Sequence, residues 1–586
     1  MSANLSMLLS ILSPCIGALL VWTFSQNRLL RDGVSIGAAI ASTFFVAMTF
    51  LAYQRGEVAS LTLLEVIPGL FIDFEATALG LLFALIASFL WLVSAVYCMG
   101  YMPAAKEENV PRFQVCFALS IAAALGIAFS SNLFVIFIFY EMLTLLTYPL
   151  VAHRGNEAAK RGARTYLAIL LSTSLLFFLP AIIWTWSLTG TLAFQDGGIL
   201  AGRIDPAFAP LLLALFAFGI GKAALMPFHR WLPAAMVAPA PVSALLHAVA
   251  VVKAGVFTLL KVGIFIFGTD YLAQTQASDW LIWLAALSML LAAGVAMIKT
   301  DLKARLAYST VSQLAYVTLA VALANQAGIA AGSFQLAAHA AAKITLFFCA
   351  GAIYVAAGKS DIRDMRGLGR RMPFTFAAFT LASFSLIGMP FFAGSIVKHE
   401  LLLGALEAGH PLAAGALLAA SILAMCYLLP IVVNAFLLSP AKAPSSFKEA
   451  PASMLIALCG TALLSLAIGL YPAPVEMLAP LADSSAHLQA LHRLTLLHYG
   501  LMGFVALSIL YWLPRSLPLP GWLEKDVLAD WSERQKARTQ GWSDASIALL
   551  KRVCGPQSTL AGTESLTLML FAAASVLGLA TLLAYL

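Results

Sequence analysis

Charged side chains are scarce. Asp, Glu, Lys and Arg make up 10% of the 586 residues against 61% hydrophobic ones, with a mean hydropathy of +0.92. So few charges cannot cover a water-facing surface, which excludes a soluble globular protein and leaves no room for a large aqueous domain. Cysteine is also sparse: Cys15, Cys98, Cys116, Cys349, Cys426, Cys459 and Cys554 are scattered singly, with no CxxC or CxxCH spacing. That pattern argues against a zinc, iron–sulfur or haem site, so we expect no metal and no cofactor in this chain, with any redox group in a partner subunit. Met1 to Trp22 lacks a basic leading segment and a small-residue cleavage site, and reads as a retained span rather than a signal peptide. A net charge of +7 does not call for nucleic acid, because surplus Lys and Arg in such a chain mark cytoplasmic loops.

What is present is a succession of apolar runs, each near the roughly 20 residues that cross a bilayer. The expected class is an all-α polytopic membrane protein with about 16 transmembrane helices. The spans fall near 4–24, 33–53, 77–99, 113–130, 132–151, 163–187, 209–228, 241–265, 280–298, 307–325, 331–356, 374–397, 412–437, 452–471, 496–513 and 565–585. Alternate loops then collect Arg28, Arg31, Lys106, Arg112, Arg154, Lys299, Lys303, Arg305, Lys359 and Arg363 on one face, leaving Arg55, Arg203 and Arg493 opposite. The positive-inside rule places both termini on the outer side, and the expected location is a bacterial inner membrane. Residues 514–564 form a charged stretch with Trp522, Trp531 and Trp542, read as an amphipathic connector or lateral helix along the membrane before a final span at 565–586.

Two stretches depart from plain spanning helix, and each sets a lysine beside a break. Gly221-Lys222 is followed by Pro227 and Pro233, and Gly388-Met389-Pro390 precedes Lys398. Matched Gly and Pro interruptions in two halves of a transporter mark discontinuous helices that line a polar site; two ordinary proline kinks are the plainer alternative.

The strongest signal is a set of ionisable residues inside apolar runs: Glu141, Lys222, His247, Lys253, His339, Lys343 and Lys398. A charge in lipid costs several kcal/mol and is a functional-site hypothesis by default. A lone histidine such as His247 is as readily a packing residue as a proton carrier. The mixture nonetheless suits proton movement, because each type binds and releases a proton, and lysine is unusually sensitive to burial and to a nearby carboxylate. Two unit charges about 6 Å apart at an effective dielectric near 20 interact by about 3 kcal/mol, so approach and separation of Glu141 and Lys222 would act as a switch. Ser309, Thr310, Ser312, Tyr316 and Thr345 could extend the path through hydroxyls.

The segments NLFVIFIFYEMLTLLTYPLVAHRG (132–155), GKAALMPFHRWLPAAMVAPAPVSALLHAVAVVKAG (221–255), DLKARLAYSTVSQLAY (301–316), AAHAAAKITLFFCAGAIY (337–354) and GLGRRMPFTFAAFTLASFSLIGMPFFAG (367–394) resemble the antiporter-like subunits of respiratory complex I (NADH-quinone oxidoreductase), Mrp-type sodium/proton antiporters and membrane-bound hydrogenases. The resemblance covers roughly residues 70 to 440. It implies two inverted five-helix repeats, 113–265 and 280–437, each a half-channel with a broken helix, flanked by N-terminal spans (1–112) and C-terminal spans (438–513). It also implies roles. Glu141 and Lys222 would be the carboxylate and lysine of the first half-channel. His247 and Lys253 would form the bridge, His339 and Lys343 would continue it, and Lys398 would be the terminal group. One departure is Asp301-Leu-Lys303-Ala304-Arg305, whose arginine sits one place later than the family's Asp-x-Lys-Arg. The implied partners are other membrane subunits, the bilayer, and protons with sodium as an alternative ion. Three functions stay open: a redox-driven pump subunit, a sodium/proton antiporter subunit, and a proton-coupling partner of another transporter such as an inorganic-carbon uptake system.

Overall fold

A computed structural model describes residues 2–436, 448–479 and 488–512. Its principal helices, in chain order, are α1 (Ala3–Thr23), α2 (Arg28–Gln54), α3 (Ala78–Ala104), α4 (Val110–Phe129), α5 (Leu133–Val151), α6 (Glu157–Thr189), α7 (Ala209–Gly219), α8 (Ala240–Phe267), α9 (Asp279–Ile298), α10 (Leu302–Ala322), α11 (Gln326–Ala357), α12 (Pro373–Ile387), α13 (Ala393–Glu407), α14 (Pro411–Phe436), α15 (Ala452–Leu470) and α16 (Leu488–Trp512). Eleven helices among the described residues are long and apolar enough to cross a membrane. The expected connector and final span lie outside the described residues.

The all-α expectation needs correction, and the two expected interruptions divide or shorten the spans drawn through them. The protein is not purely helical: β1 (Ser60–Ile67) and β2 (Leu70–Glu75) pair antiparallel across Pro68-Gly69. The expected span 209–228 is only the eleven residues of α7, after which the chain turns through short 3-10 segments and a four-residue helix, Trp231–Ala234. The expected span 374–397 is likewise two helices, α12 and α13, separated at Gly388–Phe392. Pro227 and Pro390 lie within these interruptions and Pro233 within the short helix. Proline supplies no N–H, so continuing either helix through Pro227 or Pro390 would lose a ladder bond.

Polar residues at helix starts show why the elements begin where they do. Thr77, Asn132, Asn156, Asp301 and Asn325 each accept the backbone N–H three residues on, at 2.8–3.2 Å, meeting donors that a helix cannot satisfy itself. Asp301 is therefore a cap. The displaced arginine is structural too: Arg305 donates to the carbonyls of Lys299 (2.7 Å), Met297 (2.9 Å) and Tyr427 (2.9 Å), tying α9 and α14 to α10. The hairpin is fixed to the start of α5 by Ser131 and Asn132, which donate to Asp73 and Phe71 carbonyls at 3.1 and 3.0 Å.

Lipid and core divide the helices unequally. On α2, α6 and α15 large apolar side chains such as Phe44, Leu176, Ile183, Ile456 and Leu463 point outward, as a bilayer-facing surface permits. At the other extreme, 89% of the spanning window of α8 and 78% of that of α11 is buried. Small residues permit the close approach this requires. A Cβ on Gly255 would lie 2.3 Å from the Ala223 nitrogen and 2.4 Å from the Lys222 carbonyl carbon, so α8 runs directly against the backbone of the first break. Gly255→Val is therefore expected to cost about 1–3 kcal/mol or more through overpacking, whereas Gly37→Ala, which meets open space, is expected to be neutral. Thermal midpoints of the two purified variants in detergent would check this, and similar values would refute the packing account.

Candidate functional site

The ionisable residues picked out in the sequence lie mostly inside the bundle, and the breaks explain how. Lys222 occupies the 3-10 turn after α7 and is fully buried. Its Nζ donates to the Tyr140 carbonyl and the Thr144 hydroxyl, each at 2.6 Å, and lies 3.2 Å from the centre of the Tyr140 ring. The backbone N–H of Lys222 donates to Tyr140 Oη at 2.9 Å, and Trp231 Nε1 caps the Gly221 carbonyl at 2.9 Å. A helix continuing through this point would use those groups internally; the interruption turns them toward side chains.

Lys343 repeats the arrangement. From α11 its Nζ donates to the Leu306 carbonyl (3.1 Å) and Ser309 Oγ (2.7 Å) of α10, and Ser309 is 2.8 Å from Tyr427 Oη. Both lysines thus rest on one carbonyl and one hydroxyl of a neighbouring helix. Lys398 is bound differently: from α13 it reaches back to the carbonyls of Leu386 (3.1 Å) and Ile387 at the end of α12. Those are the carbonyls that a helix terminus leaves without partners and where its dipole is negative, so the broken helix supplies the counter-pole for its own lysine.

The centre of the bundle joins α8 to α11. Lys253 Nζ lies 3.1 Å from His339 Nδ1 and donates to the Gln335 carbonyl at 3.2 Å. His339 also lines a cavity of about 10 Å³, together with Gln313, Tyr316, Gln335, Ser385 and Lys398. Gln313 Nε2, Tyr316 Oη, His339 Nε2 and Ser385 Oγ are all buried without a hydrogen-bond partner. A space of this size admits about one water, and these groups could hold it. Lys253, His339 and Lys398 are therefore connected by one contact and one polar cavity.

Two expected groups make no hydrogen bond through their side chains. Glu141 is half-buried, its carboxylate oxygens have no hydrogen-bond partner, and it makes no ion pair with Lys222. His247 sits in a π-helical turn, Leu245–Val249, with both ring nitrogens unpartnered and its ring 4.7 Å from that of Phe347. Among the expected hydroxyl groups, Ser309 and Tyr316 meet the axis, while Thr310 bonds back to its own helix and Thr345 to Thr461.

A model of the family described as NADH:quinone oxidoreductase/Mrp antiporter, transmembrane, matches residues 130–424. The chain belongs to this family. The family segment runs from the start of α5 into α14 and so contains every one of the seven residues above. Among curated relatives, the A/B subunit of a probable K(+)/H(+) antiporter of Rhizobium meliloti (strain 1021) is 32% identical over 68% of this chain and 39% of its own length. The N subunit of NADH-quinone oxidoreductase of Desulforudis audaxviator (strain MP104C) is 31% identical over 60% of this chain and 70% of its own length. The chain thus spans about two fifths of the Rhizobium relative. Among solved structures, a chain of the archaeal membrane-bound sulfane sulfur reductase, a respiratory membrane complex, superposes with a TM-score of 0.72 at 26% identity, covering 81% of this chain and 96% of that one.

In this family member, sequence reasoning missed several site residues. Lys261, which sits late in an apolar run where a lysine can snorkel to the interface, is instead fully buried, with Phe194, Phe265 and Phe257 ring centres 4.5–5.8 Å from its Nζ and Thr77 Oγ1 at 3.5 Å. Its place at the end of an apolar run gave the wrong signal, because α8 is in the core. Gln313 and Gln335 were legible as polar residues in apolar helices, yet only the crossing of α10 and α11 brings them to one cavity. For Lys222, Thr144→Val is expected to remove a hydrogen bond to a charged group worth about 1.5–3 kcal/mol, and Thr144→Ser to retain it. Equal thermal midpoints for the Val and Ser variants would show that the hydroxyl does not hold the lysine.

Proposed function

We propose that this chain is a proton-translocating membrane subunit of a complex I-like or Mrp-type assembly, moving protons along Glu141, Lys222, His247, Lys253, His339, Lys343 and Lys398. The observation that carries the reading is the run Lys253–His339–cavity–Lys398. It combines a 3.1 Å contact between two proton-binding groups with a water-sized space whose polar lining has unmet hydrogen bonds. A proton on Lys253 passes to His339 Nδ1 directly, and from the other ring nitrogen to Lys398 through a hydrogen-bonded water. Lys222 and Lys343, each on a carbonyl and a hydroxyl, serve as corresponding stations of two half-channels, which supports treating 113–265 and 280–437 as inverted repeats in a bundle of about 16 spans. With the Lys222 ammonium on Tyr140 and Thr144 and no ion pair to Glu141, the arrangement fits the unpaired state of the carboxylate–lysine switch; its other state pairs them.

In this reading the partners are further membrane subunits, redox cofactors reside in those partners rather than in this chain, and the location is a bacterial inner membrane with both termini outside. A second reading is exchange of protons for sodium or potassium without redox chemistry, favoured by the 32% identity to the probable K(+)/H(+) antiporter relative. Coupling of the proton path to another transporter is a third use of the same site.

The test is proton flux in proteoliposomes carrying the purified assembly, with a pH-sensitive dye inside. Flux that needs NADH and quinone marks a redox pump, and flux that follows sodium or potassium without an electron donor marks an antiporter. In either case Lys222→Ala and Glu141→Ala are each expected to lose most of the flux while the assembly remains intact. Wild-type rates in both variants would refute the proton-path assignment.

A further inference from the structure

A cleft of about 230 Å³ opens where the N-terminal ends of α2 and α4 meet the C-terminal end of α3, on the face that gathers the basic loops. The charges lining it are Arg28, Arg31, Asp32, Lys106 and Glu107. Both carboxylates are already engaged. Asp32 Oδ1 accepts from Arg31 at 2.9 and 3.0 Å and from Gln114 Nε2 at 2.8 Å, and Glu107 pairs with Arg154 at 2.5 Å. Arg28 is 3.7 Å from Asp32 with its side chain largely exposed, and Lys106 makes no ion pair among the described residues. The cleft therefore keeps a net positive lip over a neutralised floor.

The floor holds one unmet group. Gln114 is 8% exposed; its amide nitrogen is spent on Asp32, and its Oε1 is buried with no donor. A ligand completing this site must bring an anion for Arg28 and Lys106 together with a hydroxyl or N–H for Gln114. Beside the lip, Leu29, Leu30 and Met99 are exposed at 83%, 51% and 39%, and Arg28 donates to the Met99 carbonyl at 3.4 Å, so apolar side chains flank the charged end.

We propose that this cleft binds the headgroup of an anionic phospholipid that carries a hydroxyl, of the phosphatidylglycerol or cardiolipin class. The phosphate lies between Arg28 and Lys106, the glycerol hydroxyl donates to Gln114 Oε1, and the acyl chains follow Leu29, Leu30 and Met99. A choline headgroup fits poorly, since it offers no donor and sets a cation against two others. By the positive-inside rule this face is cytoplasmic, where anionic lipid gives basic residues an attractive surface potential.

The test uses the complete assembly, delipidated in detergent, with lipid binding read by native mass spectrometry and stability by thermal midpoint. Phosphatidylglycerol is expected to bind about tenfold more tightly than phosphatidylcholine and to raise the midpoint. R28Q/K106Q is expected to lose that preference and R28K/K106R to keep it. Gln114→Leu, measured separately should the double variant fail to fold, is expected to lose the preference for phosphatidylglycerol over phosphatidic acid, which has no headgroup hydroxyl. Equal binding of glycerol and choline lipids, or a preference that survives in R28Q/K106Q, would overturn the proposal. Equal protection by inorganic phosphate alone would assign the site to a free anion and overturn the lipid.

Discussion

A lysine enclosed in a lipid-embedded bundle must be given acceptors, and an intact helix has few to spare. A carbonyl inside a helix already serves the N–H four residues on and can take a lysine only on its remaining lone pair, whereas a terminus or a break leaves carbonyls unused. The fold uses both, adding side-chain hydroxyls. Lys222 rides on the turn where α7 stops. Lys398 binds the final carbonyls of α12 across the gap before α13. Lys343, on an unbroken helix, takes a carbonyl and a serine hydroxyl from α10 instead. Remove the breaks, and Lys398 loses the carbonyls it binds, while Lys222 loses the turn that carries it to the Tyr140 carbonyl and Thr144 hydroxyl of α5.

The same constraint accounts for the packing around the axis. Glycine at 255 lets α8 lie on the backbone of the first break, and the long helix α11 carries Gln335, His339 and Lys343 past α8 and α10. Polar groups collect where these helices cross, away from lipid, and leave the outer faces of α2, α6 and α15 to large apolar residues. Arg305 and Lys303 brace the same region through backbone carbonyls: Arg305 ties α10 to α9 and α14, and Lys303 bonds Ala238, just before α8, at 2.5 Å.

Much of the axis was legible in the sequence because lipid makes polarity conspicuous. Lys222, Lys253, Lys343 and Lys398 stand out from apolar runs, and their tertiary positions are buried as that isolation suggested. Connectivity was not legible. Nothing in the spacing of Lys253 and His339, 86 residues apart, shows that their nitrogens approach to 3.1 Å, nor that Lys222 hydrogen-bonds the Tyr140 carbonyl rather than the carboxylate of the adjacent Glu141. The burial of Lys261 was illegible for the same reason: depth in the bilayer can be guessed from distance to a helix end, but lateral position in the bundle cannot. The hairpin at 60–75 had its own signal in Pro68-Gly69 between two apolar runs, but fell in the stretch between the expected spans 33–53 and 77–99, where no strand was assigned.

The sequence by itself determined that this chain lives in a bilayer, where its helices break, and which ionisable side chains interrupt its apolar runs, because hydropathy, proline and charge act locally along the chain. Tertiary structure alone decided which of those side chains share a cavity, which acceptors each lysine finds, and which faces meet lipid. Those outcomes depend on helix crossings between residues far apart in sequence, where a rotation of one helix face replaces a hydrogen-bond partner by a methyl group.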